Sequence, residues 1–402
     1  MLTPSSVVTA QALPEAGQMR AAPTAGGLPE ALQPGFLIAH YQLSGAGAQL
    51  AERAAALAVE QSVEMPLAGI ADAGLRARVV ARVGALDVAS GRANLHLAEE
   101  TVGQDPAQLL NMLFGNCSLQ DDVTLLGVTL SAVFRARFPG SRFGIDGLRQ
   151  KLGAPARPLT ASALKPQGLP PADLARLAGR LARAGIDLIK DDHGIANQHS
   201  APFAERVPAV QAAIAVANRE TGRHTLYAPS LSGDAQEVTR QLDLLADEGV
   251  SMALACPFLL GVSRFAELTR HRHPVALMAH PALAGSPRIA PECLLGDLFP
   301  LFGADAVIFP NHGGRFSWSR TRCLTLAERI RSPGLTGRGA LPIPAGGMQV
   351  ERVEEMLDCY GRDVVLLIGG NLLAAPDLDH RARQFVDAAA RWPASPTAGA
   401  AP

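Results

Sequence analysis

The 402-residue chain carries 36 basic and 37 acidic residues, a net charge of −1, with 48% hydrophobic and only 4% aromatic residues. Near-neutrality without a basic run excludes an electrostatically driven nucleic-acid partner, and no uncharged apolar stretch reaches the roughly 20 residues a bilayer span needs. The five cysteines, Cys117, Cys256, Cys293, Cys323 and Cys359, are odd in number and widely spaced, without a CxxC pair or zinc-ligand spacing. That usage fits a reducing compartment. The N-terminus has neither a basic n-region nor a continuous apolar run, so the expectation is a soluble, cytoplasmic protein with no membrane partner.

In chain order, residues 1–28 are rich in Ala, Pro, Gly, Ser and Thr without periodicity and read as a flexible tail, as do residues 393–402. Residues 29–150 read as a smaller α+β domain of ferredoxin-like kind. Phe36–Leu43 has strand composition, Ala48–Val59 helical composition, and Asn94–Ala98 is a second strand. Asp105–Phe114 and Leu125–Phe138 are further candidate elements.

Residues 151–392 are more regular. Short apolar runs alternate with amphipathic helical stretches, the signal of repeated βα units. The runs are Leu159–Lys165, Ile186–Asp192, His224–Ser230, Val250–Pro257, Pro274–Pro281, Ala304–Asn311, Ala340–Gly347 and Val364–Gly370. Between them, Pro170-Pro171 opens a helix whose face is Leu174, Leu177 and Leu181 and whose end is Gly185. Asp234 with Glu237 resembles a capping box ahead of Val238, Leu242 and Leu245, closed by Gly249. Val350, Val353, Leu357 and Tyr360 repeat the pattern before Gly361. Eight units predict a C-terminal TIM (β/α)₈ barrel. A doubly wound sheet is the rival, but it needs no eighth unit to close it.

A TIM barrel carries its active site at the C-terminal strand ends. Strand one ends in Lys165-Pro166-Gln167, strand two in Lys190-Asp191-Asp192-His193, and strand five in His280. Strand six ends in Asn311-His312-Gly313-Gly314-Arg315, strand seven in Gly346-Gly347 and strand eight in Gly369-Gly370. Strand alternation puts Lys190 and Asp192 on one side and Asp191 on the other. Asp192 offers an oxygen ligand to a hard divalent ion. A buried lysine with a lowered pKa can add CO₂ to become an anionic carbamate. A strand-end salt bridge between Lys190 and the aspartates is the alternative. The glycine pairs could form anion-binding nests for a phosphate, or be ordinary turns. Lys165 could move a proton or polarise a carbonyl, or be a solvated strand-end lysine. His280 could be catalytic or structural. His312 and Arg315 flank glycines as a substrate loop might. His224, His271 and His273 fall at strand starts, away from that end.

Leu164-Lys165-Pro166 followed by Gly185-Ile-Asp-Leu-Ile-Lys-Asp-Asp192 resembles the signature segments of the RuBisCO large-subunit superfamily. His280 and the two glycine pairs fall where that family has its strand-five histidine and phosphate glycines. Val59-Glu60-Gln61-Ser62 and Gly115-Asn116 resemble segments that reach a neighbouring subunit's site. The resemblance implies Mg²⁺ held by carbamylated Lys190 and Asp192, with Lys165 as acid/base and His280 on substrate. It also implies a phosphate on the glycine pairs, and a homodimer in which Glu60 and Asn116 cross the interface. The departures are Gln167 for a second lysine, His193 for a glutamate ligand, and Ala345 for a serine. The strand-six loop Asn311–Ser319 also lacks the lysine that clamps the carboxylated intermediate.

That pattern is similar to form IV, the RuBisCO-like proteins. It implies enolisation of a phosphorylated keto-sugar or keto-sugar acid without CO₂ fixation, with isomerase, enolase and decarboxylase outcomes all open. The alternatives are a non-catalytic phosphometabolite binder, or an unrelated aldolase-type barrel with a Schiff-base lysine.

Overall fold

The computed structural model describes residues 27–44, 49–335 and 337–392, so the two expected tails lie almost wholly outside the described residues. The first unit is a four-stranded sheet of β1 (Phe36–Leu43), β2 (Arg82–Asp87), β3 (Arg92–Ala98) and β4 (Val123–Thr129) in the order β2-β3-β1-β4. Every pairing is antiparallel. Helix Gln49–Glu60 follows β1 and helix Pro106–Phe114 follows β3, giving the β-α-β-β-α-β order of a ferredoxin-like unit. Alternation in β1 sends Leu37, Ala39, Tyr41 and Leu43 to one face, where they pack with Leu50, Leu57, Leu109 and Leu113 of the helices. The Tyr41 hydroxyl is satisfied inside that core by donating to the Leu113 carbonyl at 2.6 Å. Asp105 caps the second helix by accepting from the Ala107 and Gln108 amides, with Pro106 at the first position.

From Leu159 the chain forms eight parallel strands: β5 (Leu159–Leu164), β6 (Leu188–Asp191), β7 (Leu226–Ala228), β8 (Met252–Ala255), β9 (Ala276–Ala279), β10 (Ala306–Pro310), β11 (Leu341–Ala345) and β12 (Val365–Leu367). Each of the eight apolar runs contains one of them. β12-β5-β6-β7 and β8-β9-β10-β11 are hydrogen-bonded in those orders. A parallel bridge between Ser230 and Leu254 joins β7's end to β8, and β11 lies beside β12, so the barrel closes.

Alternation again sets the packing. Leu188, Ala228, Leu254, Met278, Ile308 and Ile343 fill the barrel, while Ile189, Tyr227, Ala253, Leu277 and Val307 face the helices.

The helix start at Pro170-Pro171 holds, with helix Pro171–Arg183 burying Leu174, Ala178 and Leu181. The capping box is half made. Asp234 accepts from the Glu237 amide at 2.8 Å, but the Glu237 carboxylate is taken by Asn197, Arg240 and Gln241. No helix among the described residues is long and apolar enough to cross a membrane, and all five cysteines are free thiols.

Candidate active site

Lys190 and Asp192 leave β6 toward the barrel mouth, and Asp191 points the other way. The outward carboxylate is fully buried and held by three donors: the Tyr227 hydroxyl at 2.7 Å, the Ser230 amide at 3.0 Å and Arg206 at 3.2 Å. Arg206 is itself fully buried, so the pair is a rigid prop behind β6, and the strand-end ion pair considered for Lys190 is made here by arginine. Lys190 is 3% exposed and donates to the Asp191 carbonyl at 2.7 Å. Burial lowers its pKa to about 8, because a charged amine loses its water; Asp191 opposes that fall and Lys165 adds to it.

Lys165, at the end of β5, contacts the Asp192 carboxylate. Burial and the Arg315 guanidinium hold its amine below the ordinary lysine range. The other Asp192 oxygen takes His193 Nδ1 at 2.8 Å, and the His193 ring stacks on His280. Burial, with the charges of Lys190, Lys165 and Arg315, lowers the pKa of both imidazoles. They are neutral at neutral pH. His280 Nδ1 accepts from the Ala282 amide at 3.2 Å, which leaves its proton on Nε2.

The glycines continue the rim on the far side of Lys165 from Lys190, because β12 is paired with β5. Gly346 and Gly347 have φ of +89° and +104°, a region that side chains rarely adopt. The Gly346 carbonyl accepts from the Arg315 amide at 3.0 Å, drawing the strand-six and strand-seven loops together. A Cβ on Gly369 would sit 3.8 Å from Lys165 Cε, so the strand-eight turn adjoins the reacting side chains. Among the described residues, no protein acceptor takes the amides of Gly346, Gly347, Gly369 or Gly370. Four backbone donors are thus free at one rim, the arrangement an anion uses.

Two expected residues are elsewhere. The Asn311 side chain, predicted to meet substrate, is turned to helix Val353–Tyr360: Tyr360 donates to its Oδ1 at 2.6 Å, and its Nδ2 donates to Met356 Sδ at 3.0 Å. His312 is 7% exposed and lies against Tyr360 and Glu355 on that same helix. Asn311 continues the outward face of Val307 and Phe309, which alternation along β10 could have shown; His312 has the inward parity of Ile308 and departs from it. Both residues anchor the loop that carries Arg315.

Glu60 and Asn116 are together on the sheet domain: Asn116 Nδ2 donates to Glu60 Oε1 at 3.1 Å and to Glu64 Oε1 at 2.7 Å. Glu64, not foreseen, has φ +51°. Among the described residues, no hydrogen bond links this cluster to the barrel mouth of its own chain. Sequence reasoning also passed over Ser230 and Cys256, although each stands two residues beyond an inward-facing position.

Mg²⁺ prefers hard oxygen donors. Asp192 provides one, and His193, with its proton on Nδ1 toward Asp192, keeps an Nε2 lone pair. Among the described residues, no three His, Cys, Asp or Glu side chains are grouped as a cation site. A further protein oxygen would come from Lys190 if its amine, which burial leaves partly neutral, took up CO₂. The residues fit the ion on that condition.

Residues 144–288 match the family model of the ribulose bisphosphate carboxylase large chain, catalytic domain. The chain is 49% identical over 348 residues to 5-methylthioribulose-1-phosphate isomerase of Rhodospirillum rubrum, covering 85% of this chain and 92% of that one. It is 34% identical over 298 residues to 2,3-diketo-5-methylthiopentyl-1-phosphate enolase of Geobacillus thermodenitrificans, covering 71% and 72%. The crystal structure of a Rubisco-like protein from Rhodopseudomonas palustris superposes with a TM-score of 0.82 at 45% identity, covering 89% of this chain and 98% of that one. With the lysine pair, Asp192 and the glycine rim in place, the chain belongs to the RuBisCO large-subunit superfamily, in its form IV branch of RuBisCO-like proteins.

Proposed function

We propose that this protein is an isomerase of a keto-pentose monophosphate carrying a thioether, such as 5-methylthioribulose 1-phosphate, working by enolisation and fixing no CO₂. The observation that carries the reading is the convergence of Lys165, Lys190 and Asp192 on a rim with four free glycine amides. The 49% identity to the Rhodospirillum isomerase, against 34% to the enolase, favours isomerisation over the other fates of an enediolate. Membership of this superfamily sets aside the unrelated aldolase-type barrel.

In this reading the glycine amides hold the phosphate and Arg315 adds charge above it. Carbamylated Lys190, Asp192 and His193 hold Mg²⁺, which when bound polarises the substrate carbonyl and stabilises negative charge developing on oxygen. Lys165, its amine held below the usual range, takes the proton from the carbon beside the carbonyl, becomes an ammonium whose protons exchange with solvent, and delivers one of them to the former carbonyl carbon, while the hydroxyl proton of the first carbon passes to the former carbonyl oxygen. His280, neutral and protonated on Nε2, donates a hydrogen bond to a substrate oxygen. Glu60 and Asn116, with Glu64, act on the site of a second copy in a homodimer.

The test is direct: phosphorus and proton NMR of 5-methylthioribulose 1-phosphate with the protein, Mg²⁺ and bicarbonate. Conversion to an isomeric keto-pentose phosphate supports the reading. An unchanged substrate that nonetheless binds tightly would favour a non-catalytic metabolite binder.

A further inference from the structure

Going round the barrel mouth, the arc between Lys190 on β6 and His280 on β9 belongs to β7 and β8, and no role has been given to either. Ser230 and Cys256 occupy it. Ser230 is bridged in parallel to Leu254, whose side chain fills the barrel, and residues so paired point to the same side. Ser230 therefore faces inward. On β8, Met252 and Leu254 face inward, so alternation brings Cys256 inward as well. The pairing of Ala255 with Ala279, continued by the His280 amide donating to the Ala255 carbonyl at 2.9 Å, sets Cys256 beside His280. Lys190 and Cys256 are close enough to act electrostatically on each other.

Both side chains are buried, Ser230 at 3% and Cys256 at 4% exposure. Among the described residues neither the Ser230 hydroxyl nor the Cys256 thiol has a hydrogen-bond partner, whereas the Ser230 amide is fixed on Asp191 at 3.0 Å. The Ser230 hydroxyl is not among the side-chain atoms shut off from solvent without a partner, so it is reachable from the barrel mouth. Here it points toward the place a substrate would fill, on a backbone anchored by the buried Asp191–Arg206 pair.

We propose that Ser230 and Cys256 form a subsite that binds a hydroxyl of the substrate's carbon chain, at the end remote from the phosphate. The two groups are small, neutral and able both to donate and to accept, which suits a neutral hydroxyl and offers nothing to a second phosphate or a carboxylate. In the closed ring of strands, β7 and β8 stand across from β11 and β12, where the glycine amides are. A sugar phosphate anchored at the glycines and crossing the reacting lysines would bring its hydroxylated carbons to this arc. The assignment rests on the sugar-phosphate reading and adds the feature by which sugars are told apart.

The experiment uses the full-length protein with Mg²⁺ and bicarbonate, and calorimetric binding of a non-isomerisable pentitol 1-phosphate and its singly deoxygenated counterparts. In the wild type one deoxy ligand should bind about tenfold more weakly than its parent. Ser230→Ala should lose a similar factor toward the parent and no longer discriminate against that deoxy ligand. Cys256→Ala should weaken the parent and Cys256→Ser restore it, which separates hydrogen bonding from a folding defect. The inference is overturned if the wild type binds parent and deoxy ligands alike or binds none. It is equally overturned if Ser230→Ala weakens every ligand, inorganic phosphate included, by one common factor. Failure of the isomerase reading would look different: hydroxyl discrimination intact, with no turnover of 5-methylthioribulose 1-phosphate.

Discussion

The imidazole rings of His193 and His280 stack with centroids 4.1 Å apart and planes 11° from parallel. Two cations at that spacing, beside Lys190 and Lys165, would repel strongly although His193 is partly exposed, and the pKa of both rings is lowered. A pH–rate profile of kcat/KM should therefore show no limb near the ordinary histidine pKa of about 6.5. His280→Gln, which keeps a donor, should retain more activity than His280→Ala, with the alanine variant down about 100-fold. A histidine limb in the wild type would mean that the stack is charged at some stage of the reaction.

Lys190 gives the limb that should be seen. Its folded-state pKa, lowered to about 8 from an ordinary 10.5, leaves it mostly protonated below that pH. Protonated amine cannot take up CO₂, so activation by bicarbonate should rise with pH through about 8 and level off above it. The same depression is a stability cost. In the window between 8 and 10.5 the unfolded chain binds the extra proton, so stability rises with pH there, and below it the cost is fully present. Without bicarbonate, Lys190→Met should be inactive yet more stable at neutral pH by a few kcal/mol, about 3 at most. That gain should fade as the pH approaches the ordinary lysine value. Thermal melts of both proteins across this range check the sign.

Arg206 and Asp191 should behave as a structural unit. Removing the guanidinium leaves a fully buried carboxylate with two neutral donors, and Arg206→Ala should cost roughly 3–5 kcal/mol in denaturant unfolding. Tyr227→Phe removes one hydrogen bond to the same carboxylate and should cost about 1–2 kcal/mol. Equal losses would place the stability in packing rather than in the charge.

The glycines should not be interchangeable. A Cβ on Gly347 would lie 2.8–2.9 Å from Arg315 N and Gly314 Cα at a φ of +104°, whereas one on Gly370 meets nothing within 4 Å. Gly347→Ala should raise the dissociation constant for inorganic phosphate about tenfold or more, because the strand-six and strand-seven loops must part. Gly370→Ala should change it by less than about threefold, the range of an unstrained surface substitution. Isothermal titration of both variants decides.

Much of this was legible in the sequence where burial wrote a pattern. The barrel strands are buried on both faces, so each left a short apolar run, interrupted in β5 and β6 by buried polar residues, and all eight runs contain a strand. β2 left none: its residues are exposed or half-buried along an edge, and nothing in Arg82–Asp87 marks a strand. β4 begins at Val123 and ends at Thr129 and the helix Ala132–Arg135 follows after only two residues, capped by Ser131, so the span Leu125–Phe138 joined two elements across a break that the Ser131 cap marks. Charged strand ends were easy to find because burying Lys190, Asp191 and Asp192 demands partners. Neutral mouth residues such as Ser230 and Cys256 carry no charge that burial must offset, and only the register with Leu254 and Ala279 exposes them. Asn311 misled because its polar side chain satisfies Tyr360 on a helix some fifty residues further along the chain.

The most direct measurement is solvent deuterium incorporation into 5-methylthioribulose 1-phosphate, followed by NMR in heavy water with Mg²⁺ and bicarbonate. Enolisation at the lysine–aspartate cluster requires deuterium on a carbon adjacent to the carbonyl, appearing with the wild-type protein and abolished in Lys165→Ala and Lys190→Ala. No incorporation with correctly folded wild type, or incorporation undiminished in both variants, would contradict the account.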